Sequence, residues 1–191
     1  HKTFSFDGKG HTIRNLPGMF VRYTIWGDLT IKNLTLANPK IAYDVEDKSD
    51  KGVGAFFGFC DAFNQILLEN CHVKGGEIAG GHWTGGLIGF AAGNNATGVL
   101  TINNCSVKET TVTGKGSCGG IIGHANGGKG LVEMNTISVF SNTIKSTGTD
   151  TNKAGSVMGT VGSGIVKVTN CSVIDNEVTS NNVANAKLWG R

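Results

Sequence analysis

The sequence predicts an all-β protein that folds as a single-stranded, right-handed parallel β-helix of about five coils, with roughly 33 residues in each coil. Three observations predict this fold: a repeat of that length, apolar residues at alternate positions within each copy, and a glycine-flanked apolar pair that recurs in phase. Alternation with a period of two is typical of strands, whereas helical repeats of similar length space their apolar residues three and four apart. Stacked copies made only of strands form a β-helix, in which each coil buries the face that its neighbour exposes.

The repeat is clearest at three cysteines that each follow an asparagine: Cys71, Cys105 and Cys171. Stepping along the chain with the same period places Leu34 and Ile137 in this column. A disulfide or a metal site would not accept those two residues, and an unpaired cysteine behaves as a small buried hydrophobe. We therefore predict that the three cysteines are buried, reduced packing residues. The remaining two, Cys60 and Cys118, lie in other frames and have no obvious mate.

The residue before each cysteine marks a corner. Apolar residues alternate up to this position and resume after a step of three, which would turn later side chains to the wrong face unless the chain bends. Asparagine tolerates the left-handed conformation that such a bend needs. The corner column reads Asn33, Asn70, Asn104, Thr136 and Asn170. We expect its amides to hydrogen-bond along the stack; Asn104 and Asn170 also match a glycosylation sequon, but the corner already explains the pattern.

A second anchor is a small residue, two apolar residues and a glycine. The small position is Ala55, Gly86, Gly120 and Ser156, and the closing glycine is Gly58, Gly89, Gly123 and Gly159. Glycine within a strand pattern indicates a bend or a close approach of backbone to backbone. We predict a glycine-flanked strand here.

This motif resembles the GLUG motif of bacterial cell-surface proteins, which include adhesin-like proteins and regions that flank IgA-cleaving metallopeptidases. Gly86–Gly89 and Gly120–Gly123 match it letter for letter, whereas the copies at Ala55 and Ser156 depart at the first position. The segment FDGKGHTIRNL (6–16) is similar to the segment that often precedes such repeats and to pectin-lyase-like β-helices. The resemblance covers nearly the whole chain and implies a secreted or surface-attached bacterial protein.

We accordingly expect one domain over residues 1–191, with an opening segment and first partial coil at 1–28 and repeated coils at 29–191. The chain is expected to be a fragment of a longer surface protein whose signal peptide lies outside this sequence. The end coils are expected to be capped by further chain or by self-association, because a β-helix cannot close its own ends.

Catalysis on this fold would need grouped carboxylates on one outer face, for acid and base roles or for calcium. Two outward columns are mixed: Lys32, Glu69, Asn103, Asn135 and Thr169, and Lys40, Glu77, Thr111, Thr143 and Glu177. No serine-nucleophile motif and no histidine pair with metal spacing is present, and no cofactor is expected. Weak calcium candidates are Asp44, Glu46, Asp47 and Asp50, whose spacing matches no calcium loop and also suits a solvated loop.

Binding is better supported than catalysis. His82 and Trp83 lie in the segment GGHWTGG, just before a glycine motif, and a tryptophan face can stack on a sugar ring. The alternative is that the aromatics cover seams and open ends of the helix, as we expect for Trp26 and Trp189. A net charge of +3 with only 16% charged residues gives no basic stripe for nucleic acid, and no apolar run reaches the roughly 18 residues that span a bilayer.

The sequence therefore predicts a non-catalytic, adhesin-like scaffold, secreted or on the cell surface, that presents loops to a glycan or a protein. The alternative from another class is a polysaccharide lyase or glycoside hydrolase of the pectin-lyase-like fold.

Overall fold

The computed structural model describes residues 2–25, 27–43, 52–93, 97–126, 130–148, 153–181 and 186–187. Within these ranges every regular element is a β-strand. The calcium candidates Asp44, Glu46, Asp47 and Asp50, together with Trp26 and Trp189, lie outside the described residues. Among the residues that are described, no helix has the length and apolar character needed to cross a bilayer.

The strands form four parallel sheets, named A to D. Sheet A contains β1 (Lys2–Arg14), β3 (Gly27–Ala37), β7 (Gln65–Lys74), β11 (Val99–Lys108), β15 (Leu131–Phe140) and β19 (Ile165–Ile174). Sheet B contains β2 (Val21–Ile25), β6 (Phe57–Phe63), β10 (Ile88–Gly93), β14 (Ile122–Asn126) and β18 (Met158–Val161). Sheet C contains β4 (Lys40–Tyr43), β8 (Glu77–Gly80), β12 (Thr111–Gly114), β16 (Thr143–Ser146) and β20 (Glu177–Ser180). Sheet D contains β5 (Gly52–Gly54), β9 (Trp83–Gly85), β13 (Ser117–Gly119), β17 (Ala154–Gly155) and β21 (Ala186–Lys187).

Each coil runs through the sheets in the order A, C, D, B and then returns to sheet A one strand further along. The result is a parallel β-solenoid of about four turns with roughly 34 residues per turn, which confirms the predicted fold class. The opening segment is part of the stack, because β1 pairs with β3 and places Phe6 opposite Ile31.

The predicted apolar columns stack in register. Leu34 lies opposite Cys71, Cys105 opposite Ile137, and Ile137 opposite Cys171. The side chains of these columns in the inner coils are almost completely buried. The core therefore consists of apolar residues from equivalent positions, stacked along the helix axis.

The asparagine corner is confirmed. Its five members have φ between 50° and 56°, the left-handed region that asparagine tolerates and most residues avoid. The amides also form the expected ladder: Asn70 Nδ2 donates to Asn33 Oδ1 (2.9 Å), and Asn104 Nδ2 donates to Asn70 Oδ1 (3.2 Å). In the next coil Thr136 occupies the corner, and the neighbouring Asn135 accepts from Asn170 instead.

A second left-handed corner, between sheets A and C, was not predicted. It lies five residues after the first and has φ between 50° and 67° at Asn38, Gly75, Glu109, Ser141 and Asp175. The buried Asn142 closes it, because its Oδ1 accepts from Thr110 N (2.9 Å) and its Nδ2 donates to Val107 O (2.9 Å). This corner could not be predicted from the sequence, because a different type of residue occupies it in most coils.

The glycine motif is a bend and not the single strand that the sequence predicts. In the second copy β9 ends at Gly85 and β10 begins at Ile88, so that the chain turns at Gly86 and Leu87. The bend has a packing reason, because sheets D and B lie backbone against backbone at the closing glycines. A Cβ atom on Gly123 would lie 2.5 Å from Thr84 N. The predicted close approach of backbone to backbone is therefore confirmed.

All five cysteines are unpaired thiols. Cys71 and Cys105 are buried, as predicted. Cys60 and Cys118, for which the sequence showed no obvious mate, are also buried. The hydrogen bond with Cys71 and burial raise the pKa of Cys105, and burial raises the pKa of Cys118 to about 12. The prediction of burial is wrong for Cys171, which is exposed. It lies on β19, the last strand of sheet A in the described chain, so no further coil covers its side chain.

Candidate functional site: an aromatic strip on sheet B

The residue that follows each closing glycine forms an outward column on sheet B. The strand register places Tyr23 opposite Phe59, Phe59 opposite Phe90, Phe90 opposite His124 and His124 opposite Thr160. We call the four rings of this column, together with Trp83, the aromatic strip. It runs along the helix axis, across the strands.

The rings of the column stack on one another. Centroids lie 5.4 Å apart for Tyr23 and Phe59, 4.6 Å for Phe59 and Phe90, and 5.4 Å for Phe90 and His124. Interplanar angles of 10°, 15° and 22° show that the rings are nearly parallel. The spacing follows from the rise between parallel strands, about 4.8 Å, which suits offset stacking of aromatic rings.

Trp83 reaches this column from sheet D. Its ring stacks on Phe90 with centroids 4.4 Å apart and an interplanar angle of 27°, and it lies 5.3 Å from His124. The contact depends on the glycines described above, since only backbone separates sheets D and B there. His82 packs its ring edge against Trp83 at 5.0 Å.

The rings of the strip are exposed to solvent to different extents. Tyr23 is 44% exposed, Phe90 only 7%, and Phe59, Trp83 and His124 are half-buried. Because stacked rings cover each other's faces, the inner rings of the column expose mainly their edges to solvent. Tyr23, at the end of the column, and Trp83 expose more apolar area than Phe90 does. Aromatic rings contribute large apolar contact areas, so this surface can hold an apolar or amphipathic partner.

One end of the strip is polar and the other aromatic. Beyond His124, Thr160 continues the column and shares a hydrogen bond of 2.6 Å with Ser117 of sheet D. Burial, followed by the charges of His82 and Lys153, lowers the pKa of His124 to about 4. His124 is therefore a neutral ring at neutral pH and can both donate and accept a hydrogen bond.

Of the predicted binding residues, Trp83 lies within the strip and His82 packs against it, and their role in binding stays a prediction. Tyr23, Phe59, Phe90 and His124 were not predicted as binding residues. A signal for three of them was present, because Phe59, Phe90 and His124 each follow the closing glycine of a motif copy. Only the three-dimensional stack shows that Tyr23 extends the same column.

Two outward carboxylates of sheet A pair with lysines on neighbouring strands. Glu69 Oε2 lies 2.7 Å from Lys32 Nζ, and Glu133 Oε1 lies 3.5 Å from Lys167 Nζ. Within the described ranges no group of three or more histidine, cysteine, aspartate or glutamate side chains is placed to hold a metal ion.

No family model matches the chain, and no curated protein matches it. Among solved structures, the fold is similar to that of a "putative immunoglobulin A1 protease" from Bacteroides ovatus, with a TM-score of 0.49 and 19% sequence identity. The alignment covers 92% of this chain and 61% of that one, so this chain spans less than two thirds of its length. A likeness of this degree supports no conclusion about this chain.

Proposed function

We propose that this chain is a binding scaffold of a secreted or cell-surface protein, and that the aromatic strip is the surface that contacts its ligand, a glycan. The observation that carries the proposal is the continuity of the strip: five rings from four coils line one outer face. The rings do not belong to the interior hydrophobic cluster, in which sheet B is represented by inward residues such as Phe57, Ile88 and Ile122.

The chemistry of the strip favours a saccharide. Pyranose rings carry an apolar C–H face that matches the partly exposed rings of Trp83 and Tyr23. Their hydroxyl groups need donors and acceptors, which the exposed His82 and the half-buried, neutral His124 can provide. A site with a few polar groups beside apolar rings is typical of small-ligand recognition.

The location of the protein rests on a different observation. The GLUG resemblance, carried by Gly86–Gly89 and Gly120–Gly123, supports a bacterial surface or secreted role. A protein partner on the same strip, and cleavage of a polysaccharide, are alternative outcomes of the experiment below.

The test is a glycan array followed by calorimetric titration of the bound glycan with three variants. Trp83→Ala and Tyr23→Ala remove ring area from the strip, and we expect each to weaken binding at least tenfold. Phe4→Ala is the matched control, because Phe4 is also 44% exposed but lies on β1, outside the strip. Melting temperatures of all three variants separate loss of the site from loss of the fold.

Three results would overturn the proposal. One is an array without any bound glycan, and another is affinity that survives both strip substitutions. The third is the appearance of new reducing ends on a bound polysaccharide, which would favour the lyase or hydrolase alternative.

A further inference from the structure

A histidine on sheet A bridges a serine and an asparagine. His72 of β7 lies opposite Ser106 of β11, one coil away, and both side chains point outward. His72 Nδ1 lies 2.9 Å from Ser106 Oγ, and His72 Nε2 lies 3.0 Å from Asn70 Oδ1. A hydroxyl, an imidazole and an orienting acceptor in a row are the parts of a nucleophile–base pair with its positioning group.

The asparagine ladder fixes the direction of these hydrogen bonds. It ends at Asp7, whose Oδ1 accepts from Asn33 Nδ2 (3.0 Å), and this bond, with one from Lys9 N, lowers the pKa of the carboxyl. An ionised carboxylate only accepts, so Asn33 presents its Oδ1 to the amide of Asn70. Asn70 in turn presents its own Oδ1 to His72.

The tautomer of His72 follows. Because Asn70 Oδ1 is an acceptor, His72 Nε2 carries the proton, and Nδ1 is the unprotonated nitrogen. Ser106 Oγ–H must therefore donate to Nδ1. The proton of the serine hydroxyl is thus directed at a base, and the lone pairs of Oγ are not used in this hydrogen bond.

Ser106 and His72 line a groove of about 480 Å³ on the surface of sheet A. Lys74 and Lys108 line the same groove and lie opposite each other on neighbouring strands, and Glu109 lies at its side. Two lysines in direct register repel each other, which is a cost unless a negative group comes to lie between them. Ser106 itself is 7% exposed, so it lies at the floor of the groove and not on its rim.

We propose that this groove is an esterase site in which Ser106 is the nucleophile, His72 the general base and Asn70 a positioning residue. The substrate class is a carboxylic ester, whose developing oxyanion the ammonium groups of Lys74 and Lys108 stabilise. This activity goes beyond the binding function proposed above, does not depend on it, and departs from the expectation of a non-catalytic scaffold.

The reaction proceeds in two halves. Ser106 Oγ attacks the ester carbonyl carbon while its proton passes to His72 Nδ1, and the bond to the alcohol breaks as His72 returns the proton to the leaving oxygen. Water then attacks the acyl-serine and gives its proton to His72, and the carboxylic acid leaves as Ser106 Oγ takes that proton back. The net change is ester and water to acid and alcohol.

The state of His72 suits this role. Burial, followed by the charge of Lys108, lowers its pKa, so the imidazole is an uncharged base at neutral pH. The charged groups that line the groove with it are Lys74 on the same strand, Lys108 on the neighbouring strand, and Glu109.

The experiment uses a fluorophosphonate probe, which reacts with activated serines, and p-nitrophenyl acetate as the ester. We expect the native chain to be labelled at Ser106, and Ser106→Ala and His72→Gln to lose labelling and to lower ester turnover at least a hundredfold. Ser138→Ala is the matched control, because Ser138 lies opposite Ser106 in the same column. The proposal would be overturned if the probe labelled another residue of the native chain. It would also be overturned if the native chain hydrolysed the ester no faster than Ser106→Ala does.

Asn70 needs a readout that a merely structural role would not change. Asn70→Gly keeps the left-handed corner and removes the amide, and we expect kcat to fall with little change in KM and the acid limb of the pH profile to move. Asn170→Gly makes the same change at the corner of the last coil (φ 52° at both positions). Equal profiles for these two variants would remove the positioning role of Asn70.

Discussion

The small position of the glycine motif leaves no space for a side chain between Gly86 and Gly120. A Cβ atom on Gly86 would collide with the carbonyl oxygen of Gly120 in the next coil and would lie 2.9 Å from both methyl groups of Val107. The obstacle on one side is backbone, which cannot rotate away. A Cβ atom on Gly120 would meet the carbonyl oxygen of Ser156 in the same way, so the constraint holds at both copies of the motif that have glycine at this position.

Gly86→Val is therefore expected to lower the free energy of unfolding by about 1–3 kcal/mol, the usual cost of overpacking. Urea titration followed by far-UV circular dichroism measures it. Gly18→Val is the control, because a Cβ on Gly18 meets nothing within 4 Å. If both variants unfold at the same urea concentration as the native chain, the contact of Gly86 with Gly120 and Val107 is not as described.

The asparagine corner can be separated into its backbone and amide parts at Asn104. Asn104→Gly retains a residue that accepts φ of 50° but loses the hydrogen bond to Asn70, at an expected cost of about 0.5–1.5 kcal/mol. Asn104→Ala should be less stable than Asn104→Gly by a further ~1 kcal/mol, because alanine avoids the left-handed region. The same urea titration gives both differences. An alanine variant as stable as the glycine variant would contradict the strained corner.

Thiol accessibility distinguishes the last coil from the others. We expect the denatured chain to react with five equivalents of a thiol reagent and the native chain to react rapidly at Cys171 alone, since the remaining four thiols are buried. Cys171→Ser should abolish the rapid phase. Rapid labelling of Cys71 or Cys105 in the native chain would show that the core stack is open to solvent.

His124 should make the stability of the fold depend on pH. Its pKa is about 4 in the folded chain, below the ordinary value of 6.5, because burial and the charges of His82 and Lys153 disfavour the imidazolium. The unfolded chain then binds a proton between pH 6.5 and 4 that the folded chain does not, so stability falls as the pH drops through this window.

His124→Phe keeps a ring in the strip and removes this titration. We expect its melting temperature to fall less than that of the native chain between pH 6.5 and 4. Parallel curves for the two proteins would mean that His124 is not the group responsible.

The repeat could be predicted from the sequence because burial selects apolar residues at the same positions of every coil. A position that points inward accepts only apolar residues, and the column of Leu34, Cys71 and Cys105 therefore revealed the period, the sheet and the core. The first corner was legible for a similar reason, since the left-handed conformation selects asparagine. The second corner was not, because Gly75, Glu109 and Ser141 satisfy it by different means.

The candidate sites depended on what the stack brings together. The fold class, the apolar columns, the first corner and the close approach at the glycines follow from the sequence alone, since each is a local preference repeated in phase. Two contacts depend on the three-dimensional stack: Trp83 of sheet D packs on Phe90 of sheet B, and His72 hydrogen-bonds to Ser106 one coil away. Outward side chains are not selected by the core, so their pairing depends on which strands the coils place side by side. For the same reason the exposure of Cys171 followed from its place on the last strand of sheet A and not from its column.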